Sequence, residues 1–157
     1  MSAPARAYVA LGANLGDVRA TLAAACDALA ALPATRLVAV SSWWRTAPVD
    51  AAGPDFLNGV AALDTTLAPL QLLEALQSIE QRHRRTRPHR HAPRTLDLDL
   101  LLYGDERLSS DRLTLPHPRI AERAFVLAPL LEVAPELRGR YGAALAALAH
   151  QRVERLP

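Results

Sequence analysis

Two aspartates two residues apart follow a run of arginines. Together they pair the ligands of a hard metal ion with the clamps of a phosphate chain. From Arg82 to Arg94 the chain carries six arginines, three histidines and no acid. Directly after it comes Thr95-Leu96-Asp97-Leu98-Asp99-Leu100, which alternates apolar and acidic after its threonine. On a strand, residues two apart share a face. Asp97 and Asp99 therefore point the same way, with Thr95 beside them, while Leu96, Leu98 and Leu100 point toward a core. Adjacent like charges on one sheet face repel, and a hard cation between them turns that repulsion into a site. Mg²⁺ takes one or two carboxylates and fills its shell with water and phosphate oxygens. The upstream arginines would hold the same phosphates through fork-shaped, charge-assisted hydrogen bonds. These are the parts that phosphoryl-type transfer needs. Taken singly, an Asp/Leu strand is a half-solvated strand with a polar face, and an arginine run is a solvated loop or general anion patch. Their junction in one segment is what favours a site.

The elements that must position these residues follow from periodicity and punctuation. Tyr8 to Leu11 reads as a first strand and Gly12 to Gly16 as a turn. Asp17 is placed to cap a helix with Leu22, Cys26, Leu29 and Leu32 on one face, ended by Pro33. The glycine turn lacks the spacing of a dinucleotide or P-loop motif, and Cys26 reads as core packing. Leu37 to Arg45 reads as a second strand, the next residues to Pro54 as a loop, and Gly59 to Thr65 as a third strand. Trp43 and Trp44 are adjacent and so face opposite sides. Pro69 stands at the first turn of a helix carrying Leu72, Leu73, Leu76 and Ile79, which ends near Glu80–Arg82. The two-aspartate strand is the fourth, and Gly104-Asp105 turns the chain after it. Leu108 to Leu115 is short extended or irregular chain, Pro116-His117-Pro118 is a rigid corner, and Leu130 to Val133 packs. Ala143 to Ala149 is a short helix and Arg152 to Pro157 is frayed. The order β-α-β-β-α-β is the ferredoxin-like arrangement, an antiparallel sheet with helices on one face, here extended by C-terminal additions. The fold class is α+β, and residues 1–157 read as a single domain.

Half of the residues are hydrophobic but only 4% are aromatic, so the core is built of Leu, Ala and Val. The net charge is +2. Outside the arginine run, twelve arginines stand against sixteen acids, so the basicity is local and marks a site rather than a nucleic-acid-coating surface. No lysine is present, which excludes a lysine Schiff base and a P-loop lysine. A single cysteine cannot form an internal disulfide and suits a reducing cytosol. Neither a signal-peptide core nor an apolar run of membrane-spanning length is present.

Ala92-Pro93 followed by Arg94-Thr95-Leu96-Asp97-Leu98-Asp99-Leu100 resembles the signature of the 6-hydroxymethyl-7,8-dihydropterin pyrophosphokinases, enzymes of folate synthesis. Leu11-Gly12-Ala13-Asn14-Leu15-Gly16-Asp17 resembles the family's N-terminal loop, and Ser41 to Pro48, Pro54 to Asn58 and Pro116 to Pro129 follow it in order. The resemblance covers nearly the whole chain except the last fifteen or so residues. It implies a pterin site made of Thr46, Ala47, Pro48, Val49, Phe56, Asn58 and Phe125. Stacking on an aromatic face and a fixed amide at the ring edge are what a flat heterocycle requires. It implies a nucleotide site of Glu80, Arg85, Arg87, Arg90, His91, Arg94, Leu100, His117 and Arg123. Arg85 and Arg87 match the family's mobile loop, and Arg90 and Arg94 match its arginines nearer the strand. The chain departs from the family at Arg84, His91, Ala47 and Pro118, where glycine, tryptophan or asparagine, proline and tyrosine are found.

The resemblance further implies that the pterin hydroxyl attacks the β-phosphorus of ATP and AMP leaves. Asp97 and Asp99 would hold Mg²⁺, as two ions, and Arg85 and Arg94 would neutralise developing charge. No general base is evident. The expected partners are ATP and 6-hydroxymethyl-7,8-dihydropterin, with no nucleic acid and no membrane, acting as a cytoplasmic monomer. Two other readings stand beside this one. An RNA-binding module on the same fold would use the arginine run, but the strands lack paired aromatics for stacking bases. A noncatalytic relative would bind nucleotide and no longer transfer.

Overall fold

The computed structural model describes residues 3–47, 53–84 and 96–157. The chain begins with β1 (Ala5–Ala13), α1 (Val18–Ala30), β2 (Thr35–Val40), β3 (Trp44–Thr46) and β4 (Phe56–Thr65). It continues with α2 (Pro69–Arg84), β5 (Asp97–Tyr103) and a small hairpin of β6 (Leu108–Ser109) and β7 (Thr114–Leu115). A 3₁₀ turn at Ile120–Glu122 leads into α3 (Ala124–Val133), then α4 (Arg138–Ala147) and β8 (Glu154–Arg155). The main sheet runs β5-β1-β4-β3-β8, with β2 also on β4, and its pairings are antiparallel. This is the expected antiparallel sheet of an α+β fold.

Local chemistry accounts for several boundaries. Asp17 caps α1 by accepting from the Ala20 N–H at 3.2 Å. Pro69 opens α2, where its missing N–H has no cost. Leu22 and Leu29 of α1 and Leu72, Leu76 and Ile79 of α2 are buried against Val9, Leu11, Leu63, Leu98 and Leu100.

Six expectations are corrected. Helices cover both faces of the sheet, not one: Tyr8, Val60, Ala62 and Leu102 pack against Val126, Leu127, Leu130 and Leu131 of α3 and Tyr141 of α4. Tyr8, Val60, Ala62 and Leu102 are apolar strand residues on that second face, so it too is buried over most of its length. The single second strand is two, because the chain breaks at 41–43. There the Ser41 hydroxyl accepts from the Val60 N–H at 2.9 Å, and Trp43 lies on Gly59. The third strand starts at Phe56 rather than Gly59, since β3 supplies a partner for its first residues. The tail is not frayed: β8 pairs with β3, the Leu156 N–H donates to the Trp43 carbonyl at 2.9 Å, and Leu156 is buried. The last helix also begins earlier than expected, at Arg138, and α2 runs on to Arg84. Among the described residues, no helix is long and apolar enough to cross a membrane.

Candidate active site

β5 places the two carboxylates as the alternation requires. Leu96, Leu98 and Leu100 are buried on the α1–α2 side, and Asp97 and Asp99 face the α3 side, half-buried. Their cross-strand partners on β1 are Gly12 and Ala10. Small neighbours leave open space above the acids. On the far side of β1, Gly12 is in register with Asn58 of β4. Asn58 therefore shares the face and the row of Asp97, two strands away, roughly 10 Å at ordinary strand spacing.

Between them Gly12 has no side chain, and a Cβ there would lie 3.0 Å from Asn58 Oδ1. Asn58 Nδ2 donates to Thr46 Oγ1 at 3.0 Å, which sets the direction of the amide. Phe56, two residues before Asn58, stands on the same face.

The opposite wall comes from the start of α3. Arg123 is the residue that precedes its first turn, and its guanidinium carbon sits 5.6 Å from the centre of the Phe125 ring. The resulting cleft has a volume of about 1250 Å³. It is lined by Thr46, Ala47, Phe56, Asn58, Asp97, Asp99, Arg123 and Phe125 among the expected residues. Single-ligand pockets run to about 300–1,000 Å³, so there is room for two ligands side by side.

Three expected residues stand outside the lining. Glu80 accepts from the Leu98 N–H at 2.8 Å, tying the end of α2 to the outer edge of β5. The Leu100 side chain is in the core, so what it can offer a ligand is its backbone, on the same outer edge as that of Leu98. His117 is held by its N–H to the Leu101 carbonyl at 2.9 Å, and its Nδ1 accepts from the Arg119 N–H at 3.1 Å. That bond places the neutral ring's proton on Nε2. Burial lowers the affinity of His117 for a second proton; Asp99 opposes this, and Arg123 and Arg119 add to it. Pro48, Val49, Arg85, Arg87, Arg90, His91 and Arg94 lie outside the described residues.

Among the described residues, no group of three or more His, Cys, Asp or Glu side chains forms a closed metal cage. The Asp97–Asp99 pair on one open face fits Mg²⁺ nonetheless, because that ion needs only one or two carboxylates when phosphates complete its shell.

Sequence reasoning missed two groups. Glu132 of α3 accepts from the Ser42 N–H and hydroxyl at 2.8 Å each and from the Trp44 indole at 3.0 Å. Burial opposes ionisation of Glu132, but these bonds and the charge of Arg155 outweigh it and hold the carboxyl below its ordinary value. The tail also lines the cleft, through His150, Gln151, Arg152 and Val153. A lone glutamate on an apolar helix and a lone glutamine after one carry no local signal of such partners.

The chain is similar to known proteins along most of its length. The curated 2-amino-4-hydroxy-6-hydroxymethyldihydropteridine pyrophosphokinase of Pseudomonas aeruginosa is 53% identical over 157 residues, covering 97% of each chain. The protein of the same name in Methylorubrum extorquens is 49% identical over 133 residues, 84% of each. The solved wild-type HPPK-DHPS of Plasmodium falciparum has the same fold, with a TM-score of 0.70 at 14% identity over 94% of this chain. This chain spans 42% of that protein's length. A sequence model of the 7,8-dihydro-6-hydroxymethylpterin-pyrophosphokinases matches residues 8–135, most of this chain and all of the sheet face that carries the cleft, so the chain belongs to that family.

Proposed function

We propose that the chain transfers the terminal diphosphate of ATP to the hydroxymethyl oxygen of 6-hydroxymethyl-7,8-dihydropterin, a step of folate synthesis. The observation that carries this reading is the single cleft in which Asp97 and Asp99 share a face with the oriented amide of Asn58, separated by Gly12. One end suits a polyphosphate with its cation and the other suits a flat, hydrogen-bonding ring.

In this reading Phe56 and Phe125 hold the faces of the pterin. Asn58 pairs with its edge, with Thr46, Ala47, Pro48 and Val49 around it. The hydroxymethyl oxygen forms a bond to the β-phosphorus as the bridge from the α-phosphate breaks. AMP leaves with the bridging oxygen, and the hydroxyl proton goes to solvent. Asp97 and Asp99 would hold Mg²⁺, as two ions, which would supply charge neutralisation to the phosphate oxygens when bound. Arg85 and Arg94 neutralise developing charge, and Arg87, Arg90, His91, His117 and Arg123 bind the nucleotide with Glu80 and the backbone of Leu100. Positioning carries most of the rate in such transfers, which is consistent with a site that has no assigned general base. Residues 1–157 act as one domain and as a cytoplasmic monomer, without nucleic acid or membrane. Two cores built on one shared sheet support the single-domain part of that reading.

The test is turnover in Asp97→Ala and Asp99→Ala. Pterin-dependent AMP release is expected to fall by several orders of magnitude in each, with the fold intact by circular dichroism. Near-normal turnover in either variant overturns the assignment of the carboxylates.

A further inference from the structure

The first turn of α3 presents a capping problem. A helix N-terminus leaves N–H groups without intrahelical partners, and Ser, Thr, Asp or Asn usually supplies an acceptor. Here the preceding residue is Arg123, whose side chain has only donors and makes no capping bond. Ala124 is 1% exposed, so water does not readily serve its N–H.

The acceptor comes from the far end of the chain. Gln151 Oε1 accepts from the Ala124 N–H at 2.9 Å, and Gln151 Nε2 donates to the Glu122 carbonyl at 3.0 Å. One side-chain amide thus holds the peptide groups on both sides of Arg123. The tail that carries it is anchored in turn. The Gln151 N–H donates to the Leu148 carbonyl at 2.9 Å, and β8 and Leu156 dock on β3 and Trp43 beyond it.

We infer that Gln151 is a positioning residue for Arg123: it caps α3 from the C-terminal tail so that a guanidinium, rather than a short capping side chain, can stand at the helix N-terminus facing the cleft. Arg123 lines that cleft with Asp97 and Asp99. A helix N-terminus and a guanidinium both attract negative charge, so the group they present is suited to the anionic part of a substrate. Gln151 lies beyond the residues that the family model matches. The inference rests on the reading of the cleft as an ATP site, and its test separates the two.

The experiment is a double-mutant cycle on the full chain, with equilibrium binding of Mg²⁺ and a non-cleavable ATP analogue as the readout and thermal melting in parallel. Gln151→Ala is expected to weaken analogue binding about fivefold to tenfold, the effect of losing two hydrogen bonds that hold Arg123. In an Arg123→Ala background the same change is expected to weaken it less than about twofold, because the residue it positions is gone. Gln151→Met keeps the length and apolar stem without the bonds, and serves if the alanine variant does not fold. Equal losses of binding in both backgrounds overturn the positioning role and leave only a structural one. Unchanged binding in Gln151→Ala and Gln151→Met overturns it as well. If Arg123→Ala alone leaves analogue binding unchanged, the inference fails with the ATP-site reading of Arg123. If the wild-type chain binds the analogue and the cycle is coupled but no AMP forms with pterin, the positioning role stands and the transfer reading fails.

Discussion

The amide of Asn58 reaches diagonally across the β3–β4 pair to the hydroxyl of Thr46, at 3.0 Å. With Nδ2 turned to Thr46, Oδ1 lies on the Gly12 side of the amide. Thr46→Val keeps the β-branched shape that suits a strand and removes the acceptor. The expected result is a rise of about threefold to tenfold in KM for the pterin, from one lost neutral hydrogen bond, with KM for ATP within about twofold. Steady-state kinetics with each substrate varied checks it, and equal effects on both substrates would count against the division of the cleft.

Gly12 separates the amide from the carboxylates. A methyl group there would stand 3.0 Å from Asn58 Oδ1, closer than ordinary contact. Gly12→Ala is expected to displace the amide by a few tenths of an ångström and to impair pterin binding more than stability. Calorimetric titration with the pterin, alongside thermal melting, measures both.

Gly59 is a glycine for a different reason. A Cβ there would meet the Trp43 ring at 2.5 and 2.6 Å and Ser41 Oγ at 3.0 Å. Gly59→Ala is expected to cost about 1–3 kcal/mol through overpacking, read from urea denaturation. Adding Trp43→Leu should recover part of that loss, since the two sites are in contact.

Glu132 ties the β2–β3 break to α3, and its carboxyl is held below its ordinary value despite burial. A group with a depressed folded value contributes stability above its unfolded value, and that contribution is lost as pH falls through the folded one. The stability gap between wild type and Glu132→Gln is therefore expected to be widest near neutrality and to close on acidification. Urea melts at a series of pH values give the curve. A gap that is constant with pH would mean that the charge on Glu132 contributes nothing.

What could be read from the sequence is what is local. Leu96, Leu98 and Leu100 alternate with Asp97 and Asp99, and period two alone sends the acids to one face. Asp17 and Pro69 mark helix starts by the chemistry of unpaired N–H groups. What escaped depends on partners far along the chain. The break after Val40 is made by Trp43 lying on Gly59 and by Ser42 bonding to Glu132. The terminal strand exists because β3 offers an open edge. A glutamine that caps a helix 27 residues earlier has no spacing signature at all. The cleft's near face was therefore legible, and so, through the family resemblance, were Arg123 and Phe125 of its far wall; the part built by the tail was not.

The most direct test of the account is the ³¹P NMR spectrum of a reaction containing the chain, ATP, Mg²⁺ and 6-hydroxymethyl-7,8-dihydropterin. The expected spectrum shows AMP together with a pterin diphosphate, appearing in equal amounts as ATP disappears. ADP with a pterin monophosphate would show attack at the γ-phosphorus and contradict the proposed geometry; ATP left intact beside unreacted pterin would contradict transfer itself.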